Sequence, residues 1–379
     1  MVATTEGVGL VETQTVRLFD AQNPLRLARG GVLSEVDVAY ETYGTLSPAR
    51  DNAVFVCHAL TGDAHAAGMH EGATRPGWWD NLIGPGRPLD TTRMYVICAN
   101  LLGGCRGTTG PASTNPETGR AYGMDFPLLD MADFVTVHRA LLGHLGVERL
   151  LAALGGSLGG MQVLQWALTH PDDMANAVVV ASSSRLSAQN IAFSAVAREA
   201  IIRDPGFHDG AYAAEGTSPT LGLSIARMMA HITYLSEEAM TDKFGREPQK
   251  GGLEPGFGPD FAVESYLQHQ GDAFLQRFDA LSYLYLTRVM DYFDPFEKDD
   301  ATALAAAAGV RFLVMSFTSD WRFSTAHSRR IVRHLEHARV PVTFREIEHG
   351  GGHDSFLLPI DDYHATVKAY LNRALEVGS

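Results

Sequence analysis

Residues 150–161 read Leu150-Leu151-Ala152-Ala153-Leu154-Gly155-Gly156-Ser157-Leu158-Gly159-Gly160-Met161. The apolar run Leu150–Leu154 predicts a buried strand. It ends in a glycine-flanked serine, and helical spacing resumes at Met161 and lasts to His170, ahead of Pro171. A serine held between a strand and a helix sits on a strained turn, so its neighbours must be small. Gly155 and Gly159 supply that room. The start of the helix aims N–H groups and positive potential at the serine oxygen. As a bare pattern G-x-S-x-G is common, and a glycine-rich turn with an incidental serine would satisfy it. The strand before and the helix after make Ser157 a candidate nucleophile.

Outward from this turn the same alternation repeats. Short apolar runs predict strands at Val38–Tyr43, Val54–Cys57, Met94–Ala99, Ala177–Ala181, Val310–Met315 and Val342–Ile347. Helical periodicity predicts helices over Met131–Leu145, Thr325–Ala338 and Asp361–Leu375. Runs this short, apolar on both faces and interleaved with helices, indicate an α/β fold with a mostly parallel, doubly wound sheet. Residues 185–299 break the rhythm. They are helix-prone at Ile191–Arg203, Leu221–Tyr234, Phe261–Leu267 and Gln276–Met290, interrupted by a polar loop at Phe244–Pro259. The expected organisation is a catalytic core of residues 1–184 and 300–379, with residues 185–299 inserted as a helical lid. An alanine-rich helix is expected over Ala301–Ala308.

The chain has 379 residues, with 30 basic and 44 acidic side chains giving a net charge of −14. Hydrophobic residues make up 45% and charged ones 20%, as in folded globular proteins, which argues against a disordered or coiled-coil chain. This charge disfavours duplex nucleic acid or an anionic membrane as partner. Three cysteines (Cys57, Cys98, Cys105) cannot form a disulfide framework, so a reducing, cytoplasmic setting is expected. The first residues lack the basic start and apolar run of a signal peptide, and no stretch approaches the roughly 20 apolar residues of a membrane span. The histidines show no zinc-ligand spacing, so no metal is expected; His334 and His337 read as surface residues.

A serine nucleophile needs a base and an orienting acid, and in this arrangement the chain order is serine, acid, histidine. Asp320 follows the strand Val310–Met315, in Ser319-Asp320-Trp321-Arg322. His353 follows the strand Val342–Ile347, on the loop His349-Gly350-Gly351-Gly352-His353-Asp354, with His349 as its rival. The N–H of Leu158 is one candidate oxyanion donor. Leu60, in the loop His58-Ala59-Leu60-Thr61-Gly62 after an early strand, is the other. Trp78-Trp79 reads as a packed loop anchor, Cys57 as apolar filler and Cys105 as structural.

These segments, with Asn100-Leu101-Leu102-Gly103-Gly104-Cys105-Arg106-Gly107-Thr108-Thr109-Gly110-Pro111, Ala226-Arg227, Ala230-His231-Ile232-Thr233-Tyr234, Ser265-Tyr266-Leu267 and Gln270-Gly271, span nearly the whole chain. In them the chain resembles the homoserine O-acetyltransferase family of acyltransferases with an α/β-hydrolase fold. The resemblance implies a ping-pong transfer from acyl-CoA, a co-substrate rather than a bound cofactor, to the hydroxyl of homoserine, in methionine biosynthesis. It maps the homoserine carboxylate onto Arg227 and the ammonium onto Asp354, with Tyr234 a weaker contact. It also implies a homodimer. Related branches acylate other hydroxyl compounds. Arg322 departs from the acetyl-using pattern, where an apolar residue is common; in the family, arginine here accompanies succinyl-CoA, so succinyl-CoA is the favoured donor and acetyl-CoA the second. A carboxylesterase using the same triad is the rival reading.

Overall fold

The computed structural model describes residues 7–249, 252–253, 256–297, 304 and 306–378. Eight strands form one sheet: β1 (Gln14–Phe19), β2 (Val36–Tyr43), β3 (Ala53–Cys57), β4 (Tyr95–Ala99), β5 (Ala152–Gly156), β6 (Asn176–Val180), β7 (Arg311–Phe317) and β8 (Val342–Ile347). Their order is β1-β2-β4-β3-β5-β6-β7-β8. The pairs β1–β2 and β2–β4 are antiparallel and all others parallel. Side chains alternate between two apolar cores, one on each face of the sheet. Phe55 packs with Trp166 on one side, while Val54 and Val56 pack with Trp79 on the other.

On the first face lie α1 (Met131–Leu145) and α2 (Leu158–Thr169). Between β6 and β7 come α3 (Ala188–Ile202), α4 (Tyr212–Glu215), α5 (Thr220–Tyr234), α6 (Glu237–Phe244), α7 (Ala262–Leu275) and α8 (Ala280–Tyr292). Then α9 (Thr325–His337) covers the first face and α10 (Asp361–Gly378) the second. No helix among the described residues is long and apolar enough to cross a membrane.

The α/β architecture expected from the alternating runs is present, and the differences have local causes. β5 begins at Ala152, because Leu150 bridges Met174 before the ladder starts. α2 begins at Leu158, three residues before the expected Met161. Its two glycines look unfavourable for a helix, yet a Cβ on Gly159 would lie 2.0 Å from the Cys57 carbonyl oxygen. α7 continues past the expected stop at Leu267 for a related reason. A Cβ on Gly271 would lie 2.2 Å from Ser224 Oγ, so glycine there lets α5 and α7 cross closely. α8 starts later than expected, at Ala280, where the Asp279 side chain caps it. The edge strand β1 and the polar helix α6 carry no apolar run to betray them. The helix expected at 301–308 and the loop at 244–259 lie partly outside the described residues; at that loop's base Pro248 pairs with Phe261.

Candidate active site

Ser157 caps α2 at φ 57°, ψ −124°, a conformation costing on the order of 1–3 kcal/mol in a non-glycine residue. Its N–H bonds the Val180 carbonyl at 3.0 Å, and Ser182 Oγ donates to its carbonyl at 2.7 Å, so the strained turn is pinned from β6. His353 Nε2 lies 2.9 Å from Ser157 Oγ, and His353 Nδ1 lies 2.8 Å from Asp320 Oδ2. All three residues are buried. The other oxygen of Asp320 accepts the backbone N–H groups of Arg322 and Phe323 at 3.0 and 2.8 Å. A carboxylate on Nδ1 assigns the proton there and leaves Nε2 to accept from the serine hydroxyl. The rival His349 turns inward to Ser355 Oγ and the Gly351 N–H, and serves its own loop.

Beside Ser157 the chain clamps one peptide plane. The Ala59 carbonyl accepts from the Gly62 N–H at 2.9 Å and from His58 Nδ1 at 2.7 Å. His58 Nε2 accepts the Leu101 N–H at 3.1 Å, which assigns the His58 proton to Nδ1. Burial holds His58 below its ordinary pKa and so in this neutral form. With the Ala59 carbonyl doubly held, the trans peptide turns the Leu60 N–H the opposite way. Neither this N–H nor that of Leu158 finds an acceptor among the described residues. Gln162 joins the two segments, its amide donating to the carbonyls of His58 at 3.0 Å and Leu158 at 3.3 Å. Gln162 Oε1 is in turn bonded by buried His138 at 2.9 Å, whose pKa burial lowers to about 4. Nothing in the spacing of the sequence marked Gln162 or His138, because their partners are carbonyls of distant loops.

A cavity of about 420 Å³ opens over Ser157, with Leu60, Arg227, Tyr234, His353 and Asp354 on its wall. Arg227, from α5, lies 4.7 Å from the Phe274 ring and 5.7 Å from that of Tyr234. Its Nε is buried without a partner, and no carboxylate among the described residues comes within 4 Å of it. Asp354 likewise has no hydrogen bond or ion pair among the described residues. Burial raises its pKa, and the charges of His353 and Arg227 oppose that rise. An uncompensated cation and an uncompensated carboxylate thus share one cavity.

Arg322 is placed differently from its expected position beside the triad. It is 8% exposed and absent from the cavity wall. Its guanidinium donates to Thr233 Oγ1 at 2.5 Å and stands 5.7 Å from the Tyr234 ring, the ring that Arg227 also approaches at 5.7 Å. It too lacks a carboxylate within 4 Å among the described residues. Trp79 is the buried anchor expected, but Trp78, stacked on it at 4.9 Å, lines the cavity. His334 is half-buried on Phe296 rather than a free surface residue. Cys57 is buried and Cys105 half-buried, and burial pushes both thiols up. The fold also gathers Glu41, His65 and His70, whose ligand atoms lie within 4.8 Å of one another. Glu41 accepts from Thr13, His70, Tyr43 and His65, so the group ties the 63–70 loop to β2, while His65 Nε2 is buried without a partner among the described residues.

Residues 52–359 match the family model of the α/β-hydrolase fold. The homoserine O-succinyltransferase of Nocardioides sp. strain JS614 is 57% identical over 97% of this chain and all of its own length. The homoserine O-acetyltransferase of Caulobacter vibrioides is 53% identical over 94% of each chain. Among solved structures, esterase E22 superposes with a TM-score of 0.86 at 26% identity, covering 95% of this chain and all of its own. At 57% and 53% identity over nearly full length, and with a matching fold model, the chain belongs to the homoserine O-acyltransferase family of α/β hydrolases.

Proposed function

We propose that the chain transfers an acyl group from acyl-CoA to the hydroxyl of L-homoserine, with Ser157 as nucleophile, His353 as general base and acid, and Asp320 as its orienting partner. The observation that carries this reading is the pairing of Arg227 with Asp354 in the cavity of Ser157. A free amino acid bears both a carboxylate and an ammonium, and each unpaired charge suits one of them. Ser157 Oγ attacks the thioester carbonyl as His353 takes its proton. The N–H groups of Leu60 and Leu158 receive the oxyanion, and its collapse expels the CoA thiolate, which takes the proton from His353. Homoserine then enters, its hydroxyl loses a proton to His353 and attacks the acyl ester. Collapse returns that proton to Ser157 Oγ and frees O-acylhomoserine.

We read residues 185–299 as the lid of this site, over a core of residues 1–184 and 300–379. The active form is proposed to be a cytoplasmic homodimer serving methionine biosynthesis. Succinyl-CoA is the proposed donor, because the buried Arg322 guanidinium lacks an anionic partner and lies one ring away from Arg227. The esterase likeness motivates the second reading, hydrolysis, which has no use for an amino-acid clamp. Mass spectrometry after incubation with homoserine and equal acetyl- and succinyl-CoA tests both. The expected result is an acyl adduct on Ser157 and O-succinylhomoserine, with Arg322→Leu shifting the product toward the acetyl ester. Release of free acid unaffected by homoserine would sink the transferase reading.

A further inference from the structure

Ser157 and His353 are buried, whereas Arg75 and Arg277, on the wall of the same cavity, are exposed. Both arginines thus stand on the exposed part of the cavity wall, which Pro76 and Trp78 also line. Arg75 makes no hydrogen bond or ion pair among the described residues. Arg277 has one hydrogen bond, from Nη2 to the Thr61 carbonyl at 2.6 Å, and no carboxylate within 4 Å among the described residues. Its pKa is lowered by desolvation and by the charges of Arg227 and Arg106, with Asp63 opposing, so Arg227 and Arg277 repel each other. Asp63 lines the same cavity and lies 3.8 Å from Arg106, Nε to Oδ2, but more than 4 Å from Arg75 and Arg277.

In a chain with a net charge of −14, unpaired cations gathered at one mouth call for an anionic ligand. The amino-acid acceptor has a single carboxylate, already matched to Arg227. Arg75 and Arg277 stand further out and are left over. An acyl-CoA donor carries its phosphates at the far end of the pantetheine arm from the thioester. With the thioester at buried Ser157, those phosphates come to the exposed end of the cavity. We infer that Arg75 and Arg277 form the subsite for the phosphates of the acyl donor, with the pantetheine arm lying along Trp78. This inference rests on the acyltransferase reading above.

The test compares acyl-CoA with acyl-pantetheine, a donor with the same thioester and no phosphates, in the wild type, Arg75→Met and Arg277→Met. Each substitution is expected to raise KM for acyl-CoA by about 5- to 30-fold, the range for loss of a charge-assisted contact. KM for homoserine should stay put, and the preference for acyl-CoA over acyl-pantetheine should collapse. Added salt should raise KM for acyl-CoA in the wild type more than in either variant. An unchanged KM for acyl-CoA in both variants overturns the subsite. So does an equal loss with both donors, which would assign Arg277 to holding Thr61 alone, or a rise in KM for homoserine. Absence of transfer from either donor by the wild type would instead refute the acyltransferase reading.

Discussion

The two walls of the active-site cavity are built on opposite terms. The wall from the sheet, with Ser157, Asp320, His353 and the Ala59–Leu60 peptide, is saturated: nearly every polar atom has a partner, and the main exceptions are the two N–H groups of Leu60 and Leu158. The wall from α5, with Arg227, and the neighbouring Asp354 leave charges unmatched. Saturation fixes geometry in advance, as stabilising a transition state requires. Unmatched charges hold a latent demand for ligand, as selecting a substrate requires. The proposed mechanism thus places chemistry on one wall and selection on the other, and substitutions on the two walls should give kinetically different defects.

The largest effect should come from the saturated wall. Replacing His58 by Leu, or Gln162 by Leu, frees the Leu60 peptide and is expected to lower kcat on the order of 10²-fold, as loss of an oxyanion donor does. KM for homoserine should barely move, and His58→Asn, which keeps a donor near the Ala59 carbonyl, should recover part of the rate. A defect confined to KM would erase the distinction between the walls. On the other wall, Arg227→Met should raise KM for homoserine by about 10- to 100-fold. The burst of CoA released before homoserine is added should survive, as stopped-flow thiol detection can check. Loss of that burst would mean that α5 takes part in acylation.

The smallest effect is one of stability. His138, with a pKa near 4, and His231, lowered to about 3 mainly by burial, stay neutral in the folded chain where an unfolded histidine titrates near 6.5. Below pH 6.5 the unfolded chain binds more protons, so stability falls as pH drops toward these lower values. Each group should contribute about 1.4 kcal/mol per pH unit at most in that window. Urea unfolding at pH 7.5 and 5.5 should show a drop that shrinks in His138→Gln. An unchanged drop would mean that other groups carry it.

Much of the saturated wall could be read from the chain alone. Ser157 and Asp320 follow apolar strands and His353 follows the half-exposed strand β8, so period and order suffice to bring them together. The uncompensated side was harder. Arg322 lies two residues from Asp320, and sequence spacing places its backbone there correctly. Spacing says nothing of where a six-bond side chain goes, and the guanidinium goes to Thr233, beside the Tyr234 ring and off the cavity wall. Arg75 and Arg277 are about two hundred residues apart and share a cavity only because the 63–80 loop and the turn after α7 both line it. Gly159, Gly160 and Gly271 hid the true extent of two helices, since close contact asks for the residue that helix propensity penalises.

The close approach of Gly159 to the Cys57 carbonyl has a consequence for how this scaffold can change. With no room for one methyl group between them, the nucleophile turn and the oxyanion loop shift together or not at all. Mutational drift at either would have to be matched at the other. α5 has close approaches of its own, Gly222 to the Ala200 carbonyl oxygen and Ser224 to Gly271, so new acceptors are most accessible through the side chains it turns to the cavity and not through shifts of its backbone. A redesign for another amino alcohol should rewrite the positions around Arg227 and Tyr234 and inherit the catalytic turn unaltered.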